Sequence, residues 1–345
     1  MPARLSSTKP KPQKAPNRAT MRDVAQAAGG VHPSTVSLAL RNSPRISAEA
    51  RAKIQAAARR IGYRRDPLLD AFNKHRLKII PLHAPRHIVA LADFASAEAL
   101  GTSPHHVAAR AGALEAAADL HCKLDFMFCG AGRLDARRID AIMDARGQRA
   151  LLLFGLSADS PPIDFTWSRL CVVAIDSVHL NTPLNRVTPD YRQAARLLWQ
   201  HAWSEGCRRI AIVRSHSTHS DGEDRAVAGF LLEQANSAPN NPIPVLTLGD
   251  ERIDALCFKR WLRKYRPEVV LHFSAASSVL ARMLGNQIVR SFALDSCGAD
   301  MPGACPDYAE VGRRAVQQLV SLMQTNQRGL PHSAVCTYVP VGLHL

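Results

Sequence analysis

Residues 20–68 read TMRDVAQAAGGVHPSTVSLALRNSPRISAEARAKIQAAARRIGYRRDPL, and this stretch predicts a series of short helices. Thr20, followed three residues later by Asp23, is typical of a capping box at the start of a helix, which Gly29-Gly30 then ends. Pro33 suits the first turn of a second helix. Two short helices joined by a glycine turn describe a helix-turn-helix.

A third helix is predicted between Ser47 and Gly62. Glu49 lies near its positive N-terminal end, where a carboxylate is stabilising. Apolar residues recur at helical spacing on one face, at Ile54, Ala57, Ala58 and Ile61. Three short helices that share one small core are a common form of DNA-binding head.

The basic charge of the chain is concentrated at the same end. Residues 1–80 hold 17 Lys and Arg against four Asp and Glu, a net charge of +13 out of +15 for the whole chain. A module that binds a polyanion concentrates charge in this way. An anionic membrane surface would attract the same charge. The predicted helix-turn-helix favours DNA as the partner, because this motif binds DNA.

The remaining composition indicates an ordinary globular protein, because 46% of its 345 residues are hydrophobic. Residues 1–18 are rich in Pro, Lys and Ser and are predicted to form a disordered basic tail. No apolar run is long enough to span a membrane and no secretory signal is recognisable, so we expect a cytoplasmic protein. Eight scattered cysteines without a C-x-x-C pair indicate neither a zinc site nor a disulfide framework.

The quoted stretch resembles the head of the lactose-repressor/galactose-repressor family. Four segments in order carry the resemblance: DVAQAAG at 23–29, STVS at 34–37, SPRIS at 43–47 and the closing GY at 62–63. In that family the second helix enters the major groove and its early residues read base edges. The resemblance implies this role for Pro33, Ser34 and Leu38, and further DNA contacts for Thr20, His32, Thr35, Ser37, Asn42 and Tyr63.

The head departs from the family at two points. Leu38 stands where an Arg is common, so contact with an apolar base edge such as the thymine methyl would replace a bond to guanine. The alternative is that Leu38 packs on the core of the head. Gly29-Gly30 looks like one extra residue in the turn. His32 could donate to a phosphate or serve as a helix cap.

A hinge helix and linker are predicted over residues 66–85, because Asp66-Pro67 is a second helix-start signature. The resemblance implies that Leu69 and Phe72 enter the minor groove when two subunits sit on DNA. Phe72 matches the Leu that the family inserts between base pairs, and Phe is a competent wedge. Packing of Phe72 under the body is the alternative. Contacts with phosphate are expected from Lys74 and Arg76.

Residues 86–345 alternate apolar runs with helical stretches, which predicts an α/β body with parallel sheets. The body resembles the periplasmic-binding-protein-like sensor of the same family. Three segments carry this resemblance: RAGALEAAADLHCKLDFMF, RVTPDYRQAARLLWQHAWSEGCRRIAIV and DYAEVGRRAVQQLV. That fold has two lobes between which the chain crosses three times. We place these crossings near 183–188, 287–296 and 325–332.

A small-molecule effector is expected in the cleft between the lobes, at the carboxyl ends of strands. The candidate effector-binding residues are Phe94, Arg225 and Asp295. Arg225 could instead be a cation on a helix surface, and Asp295 a helix cap. Ala275-Ala276 stands where the family often has Asn-Asp, so the chemistry of the family's pocket cannot be transferred to this chain. The effector could be a sugar or a nucleoside, or the protein could have no effector.

Motifs of the main enzyme classes are missing from the sequence: it has no G-x-x-x-x-G-K-[ST], G-x-S-x-G or H-E-x-x-H. His216 and His219 lack nearby carboxylates or thiols at metal-ligand spacing. We therefore expect no enzyme activity, metal or cofactor. A solute-binding protein would explain the body but leave the basic head unexplained.

The sequence thus predicts a helix-turn-helix head over 19–65 and an effector-sensing, dimerising body over 86–345. We expect a homodimer on a pseudo-palindromic DNA operator, because one head offers few base contacts and the hinge needs a partner. Repression is the commoner mode of the family.

Overall fold

The computed structural model of the chain describes residues 19–40, 46–63, 86–130, 135–156, 165–176, 182–215, 221–248, 251–285, 289–297 and 301–345. The chain divides into two compact units, residues 1–82 and 83–345. The predicted tail and the predicted hinge and linker lie outside the described residues.

The first unit contains the three helices that the sequence predicts: α1 (Met21–Ala27), α2 (Pro33–Leu40) and α3 (Ala48–Arg60). The capping box of α1 is confirmed, because Thr20 Oγ1 accepts from the Asp23 amide and the Asp23 carboxylate accepts from the Thr20 amide at 2.7 Å. Gly29 and Gly30 turn the chain at φ +101° and +79°, values that favour glycine. Small apolar residues from all three helices form the core around Val24, Val36 and Ile54.

The second unit alternates strands and helices. Its strands are β1 (Arg86–Ala92), β2 (Cys122–Phe128), β3 (Ala150–Phe154), β4 (Cys171–Ile175), β5 (Asn185–Pro189), β6 (Ile210–Ser215), β7 (Leu246–Leu248), β8 (Val269–His272), β9 (Arg290–Ala293), β10 (Gly303–Pro306), β11 (Cys336–Val339) and β12 (Val341–His344). Its helices are α4 (Ala97–Gly101), α5 (Pro104–Asp119), α6 (Ala136–Ala145), α7 (Tyr191–Ser204), α8 (Asp221–Ser237), α9 (Glu251–Tyr265), α10 (Ser277–Leu284) and α11 (Tyr308–Thr325), with 3-10 turns at Trp167–Arg169 and Ser274–Ala276.

The strands form two six-stranded sheets, ordered β11-β5-β4-β3-β1-β2 and β12-β10-β9-β8-β6-β7. Within the described residues, all strand pairings are parallel except that of β12 with β10. Each sheet has apolar residues on both faces, as expected of parallel sheets covered by helices. The predicted α/β body with two parallel-sheet lobes is therefore confirmed.

The chain passes between the two sheets at different places from those predicted. It leaves the first sheet after β5 at Pro189, one residue beyond the predicted 183–188. The predictions of 287–296 and 325–332 are wrong, because β9 lies within the second sheet and the chain returns only after β10. The last passage lies between β11 and β12. The sequences GACP and CTYV of β10 and β11 are short and lack an alternating pattern, so neither was recognised as a strand.

The first lobe has its tightest packing where α5 and α11 cross. A Cβ on Gly112 would lie 1.8 Å from the carbonyl oxygen of Ala309, and one on Gly312 would lie 1.9 Å from that of Ala109. Each glycine therefore faces the backbone of the other helix. Ala113, Ala116 and Ala315, all buried, continue the contact with small side chains. The two helices approach this closely because these positions carry almost no side-chain volume.

The second lobe is built around larger side chains. Trp199 of α7 and Phe230 of α8 are buried and make an edge-to-face contact at 5.3 Å between ring centroids. Helices α9 and α10 cover the other face of the sheet, with Phe258 and Leu280 buried there. Among the helices that the structure describes, none combines the length and the apolar character needed to cross a membrane.

Candidate DNA interface and interlobe cleft

Helix α2 separates buried from accessible residues as the prediction requires. Val36 and Ala39 are fully buried in the core of the head. His32 and Ser34 are exposed at the start of the helix, and Pro33, Thr35 and Ser37 are partly exposed. The first turn of α2 therefore presents small polar groups to solvent, in a form that can enter a groove of DNA.

Leu38 is partly exposed and is not one of the described apolar residues that pack on the core of the head. The partly buried residues that do pack there include its neighbour Leu40. This placement favours the interpretation that Leu38 faces a ligand over the interpretation that it fills space against the core.

His32 is bonded within its own turn. Its Nδ1 lies 2.8 Å from Ser34 Oγ and accepts from the Ser34 amide at 3.3 Å. The carbonyl of His32 accepts from the amides of Thr35 and Val36. His32 thus caps α2, which is one of the two roles that the sequence left open.

The other predicted DNA contacts fall into two groups. The Thr20 side chain is engaged in the capping box of α1, where its partner is the carboxylate of Asp23. The hydrogen bonds from Thr20 lower the pKa of Asp23, because burial of this carboxylate is negligible and does not oppose them. Tyr63 is partly buried and packs on the core of the head. The rest lie outside the described residues: Asn42, Leu69, Phe72, Lys74 and Arg76.

In the second unit, Phe94 lies beyond the carboxyl end of β1. Its ring contacts that of His106 in α5 edge-on, at 4.9 Å between centroids. A Cβ on Gly155, which follows β3, would lie 2.6 Å from the Phe94 ring. Gly155 therefore provides the space that the ring occupies, and Phe94 is partly exposed at the carboxyl edge of the first sheet.

Asp295 follows β9 at the carboxyl edge of the second sheet and is 8% exposed. Its carboxylate accepts from the amide of Ser274 at 2.6 Å and from the hydroxyl of Ser274 at 2.8 Å. Asp295 therefore binds Ser274, the first residue of the 3-10 turn at Ser274–Ala276. His105 of the first lobe also reaches Asp295, with Nε2 at 2.8 Å from its carbonyl oxygen and 3.5 Å from its carboxylate.

Arg225 of α8 lies at a second contact between the lobes. Its Nε donates to the Asp221 carboxylate at 2.9 Å, and its guanidinium lies 4.8 Å from the ring centroid of Tyr338 in β11. Arg186 of β5 donates to the same Asp221 oxygen at 3.0 Å. Burial opposes the charge of Arg225, but the bond to Asp221 outweighs it and the pKa of Arg225 is raised. Arg225 is thus an ion-paired residue at the lobe boundary rather than a free surface cation.

A buried pair of tyrosines joins the lobes where the chain passes between them. The hydroxyls of Tyr191 and Tyr308 lie 3.0 Å apart, and Tyr191 also donates to Asp176 at 3.4 Å. Burial raises the pKa of both tyrosines well above 10, so both hydroxyls stay protonated and can donate. The sequence reading missed this pair, as well as His105, Arg186 and Tyr338. For His105 a signal was present in the sequence: the pair His105-His106 directly follows Ser103-Pro104, which is a helix-start signature.

His106 gives the first lobe a pH dependence that can be measured. Burial, and then the charge of His105, lower the pKa of His106 to about 4. Between pH 6.5 and 4 the unfolded chain therefore binds a proton that the folded chain does not, so stability falls as the pH falls, by up to about 1.4 kcal/mol per pH unit. We expect the His106→Gln variant to lose less thermal stability than the parent between pH 7 and pH 5. Equal losses in melting temperature for both proteins would contradict this.

Among the described residues, no group of three or more His, Cys, Asp and Glu could hold a metal ion. His216 and His219 lie outside them. The buried thiols Cys122, Cys129 and Cys171 have a raised pKa, in each case chiefly because of burial, so they are poor nucleophiles.

Comparison with known proteins agrees with these features. Residues 20–66 match the family model described as bacterial regulatory proteins, lacI family. Among curated proteins, none matches the sequence of the chain.

Solved structures share the fold of three quarters or more of the chain. The transcriptional regulator CelR in complex with cellobiose has a TM-score of 0.58 and 18% identity, over 95% of this chain and 99% of that chain. The lac repressor dimer bound to operator and the anti-inducer ONPF has a TM-score of 0.52 and 15% identity, over 95% and 98%. The transcription regulator CcpA of Lactococcus lactis has a TM-score of 0.53 and 13% identity, over 76% and 98%. At these identities the likeness shows the fold, a periplasmic-binding-protein-like body of two lobes.

Proposed function

We propose that this chain, which carries over residues 20–66 the DNA-binding head of the lacI family of bacterial regulatory proteins, is a sequence-specific regulator of transcription. The observation that carries the proposal is the exposure of the first turn of α2, with Ser34 accessible and Val36 and Ala39 buried. The concentration of positive charge in residues 1–80 supports it, because phosphate contacts supply most of the nonspecific affinity for DNA.

The proposed DNA contacts divide into three kinds. Base edges are read by Pro33, Ser34 and Leu38. Further contacts with DNA come from Thr35, Ser37 and Asn42, and from Thr20, His32 and Tyr63. Leu69 and Phe72 enter the minor groove, where the ring of Phe72 opens a base step, and Lys74 and Arg76 bind phosphates next to it.

We propose a homodimer on a pseudo-palindromic site, acting as a repressor. A single α2 offers few base contacts, and two heads related by a two-fold axis double them. The lac repressor of similar fold was solved as a dimer bound to operator, which supports the same arrangement here.

Selection of bound duplexes from a random pool, followed by footprinting, tests this function. We expect one enriched sequence and a protected region with two-fold symmetry. The matched control is Ser34→Glu: a carboxylate at the start of α2 is compatible with the helix dipole but repels phosphate, so this variant should fold and lose the enriched sequence. A parent protein that enriches no sequence would refute the proposal. Protection without symmetry would refute the dimer alone.

The proposed effector site is the cleft between the lobes. Phe94 offers an aromatic face on one side, and Arg225 and Asp295 offer charged groups on the other. Because Arg225 is paired with Asp221 and Asp295 is paired with Ser274 and His105, an effector binds there by replacing some of these partners. A hydroxyl-rich molecule such as a sugar can do so, as it both donates and accepts. Native mass spectrometry of the purified protein would show such a molecule directly.

A further inference from the structure

A groove of about 580 Å³ opens at the amino edge of the first sheet. Its lining comes from the starts of β1 and β2 and from the turn between α6 and β3. Phe94 and the interlobe cleft lie at the opposite, carboxyl edge of the same strands. The groove is therefore a separate site from the proposed effector cleft, and its volume is within the usual range of roughly 300 to 1,000 Å³ for small-molecule pockets.

The side chains that line the groove are mainly cationic: Arg86, Lys123, Arg146 and Arg149, against the single carboxylate of Asp125. Lys123 Nζ lies 2.9 Å from Asp125, and Arg149 pairs with Asp144 outside the groove at 3.1 Å. Within the part of the chain that the structure describes, Arg86 and Arg146 form no ion pair. Two positive charges are thus left to balance a negative ligand.

The turn that carries Arg146 and Arg149 is fixed by the backbone. The amide of Arg146 bonds to the carbonyl of Ile142, and that of Gln148 bonds to the carbonyl of Met143 at 2.8 Å. Gly147 between them adopts φ +66°, which allows the chain to reverse direction at the end of α6. Both arginines are therefore attached to a turn whose backbone is held by hydrogen bonds, and both line the groove.

Gln148 supplies an independent sign of a missing partner. The residue is 8% exposed and lines the groove, and its side-chain Oε1 is buried without a hydrogen bond. A buried polar atom without a partner costs about 1 to 3 kcal/mol. Rotation of the amide by half a turn would place its NH₂ at the same position, so Gln148 can serve either a hydroxyl or an anionic oxygen of a ligand.

We infer that this groove binds a phosphate group, held by Arg86 and Arg146 and bonded to the amide of Gln148. Phosphate suits these partners because its oxygens accept several bonds at once, and the planar arginine fork donates two in parallel. Two sources share this chemistry: the phosphate of a small metabolite and the backbone phosphates of DNA.

The first test uses inorganic phosphate and the full chain with ¹³C-methyl methionine. Met323 lines the groove, and Met301 of the second lobe is the internal reference. We expect the Met323 resonance to shift with added phosphate at constant ionic strength. The Arg86→Gln/Arg146→Gln variant should weaken this binding by about tenfold or more, since it removes two charge-assisted hydrogen bonds. The control Lys259→Gln/Arg260→Gln removes the same charge from exposed positions on α9 and should leave the titration unchanged.

The second test distinguishes the source of the phosphate. The affinity of each protein for a random 40-base-pair duplex is measured against salt concentration. If the groove takes a DNA phosphate, the double variant lowers the slope of log affinity against log salt by about 1, because the loss of one phosphate contact removes about 0.9, and the control does not. An unchanged slope together with a Met323 titration assigns the groove to a free phosphorylated molecule.

The inference is overturned if Met323 does not respond to phosphate and the salt slopes of the double variant and the control agree. It is also overturned if the variant melts at a lower temperature but binds phosphate as the parent does, because the arginines would then only stabilise the end of α6. The first test does not require DNA binding. A chain that binds no DNA and still shows the Met323 titration would therefore refute the proposed function and support the groove.

Discussion

Replacement of Gly112 by Ala is expected to destabilise the body by about 3 kcal/mol, although it adds one methyl group. The new Cβ would meet the carbonyl oxygen of Ala309 at 1.8 Å, and backbone cannot rotate away as a side chain can. Helices α5 and α11 would have to separate, and the small buried residues along both of them would lose contact. For a unit of this size, we expect the melting temperature to fall by roughly 6 to 12 °C in calorimetry.

Gly101 is the matched control, because it also lies in a helix of the first lobe and a Cβ there would meet nothing within 4 Å. Gly101→Ala should leave the melting temperature within about 2 °C of the parent, with any change upward, since Ala favours helices. The double variant Gly112→Ala/Gly312→Ala should cost less than the sum of the single changes, because one methyl already separates the helices. Equal melting temperatures for the Gly112 and Gly101 variants would disprove the close crossing.

Replacement of Leu38 by Arg is expected to change the preferred base at one position in each half-site. Leu38 is partly exposed on α2, and an arginine there could form two hydrogen bonds with a guanine. The preference for that guanine should rise by about 1 to 3 kcal/mol, which corresponds to roughly 5-fold to 150-fold in affinity. Selection from a random pool with both proteins measures the change.

Ala56→Arg provides the control for the added charge, since Ala56 is exposed on α3. This variant should bind all DNA somewhat more tightly and enrich the same sequence as the parent. If Leu38→Arg also enriches the parent sequence, then position 38 does not face the bases and the assignment of α2 is wrong.

The head could be predicted almost residue by residue because its signals are local. A capping box, a pair of glycines and a proline each act within one helical turn. Helix α1 begins after Thr20, the chain turns at Gly29-Gly30 and α2 begins at Pro33, as predicted. The strands β1, β3 and β4 were found for the same kind of reason, since continuous apolar runs indicate strands that are buried on both faces.

The boundary between the lobes could not be predicted in the same way. Its contacts join residues far apart in sequence, such as His105 with Asp295 and Arg186 with Asp221. No local pattern encodes such a distance. Two of the crossings between the lobes were predicted at the wrong positions, because the assignment of a strand depends on its neighbours in the sheet. GACP, for example, becomes a strand only because β9 and β12 lie beside it.

The late position of α11 in the sequence has a consequence for synthesis on the ribosome. The alanine-rich face of α5 is complete at Asp119, but the helix that covers it begins at Tyr308, about 190 residues later. At a translation rate of roughly 5 to 20 residues per second, that face waits for about 10 to 40 s. The second lobe has most of its elements contiguous between Tyr191 and Pro306 and can bury its core during this interval. The core of the first lobe therefore stays open until α11 has been made, when the second lobe lacks only its edge strand β12, and throughout this interval the apolar face of α5 is exposed on the nascent chain.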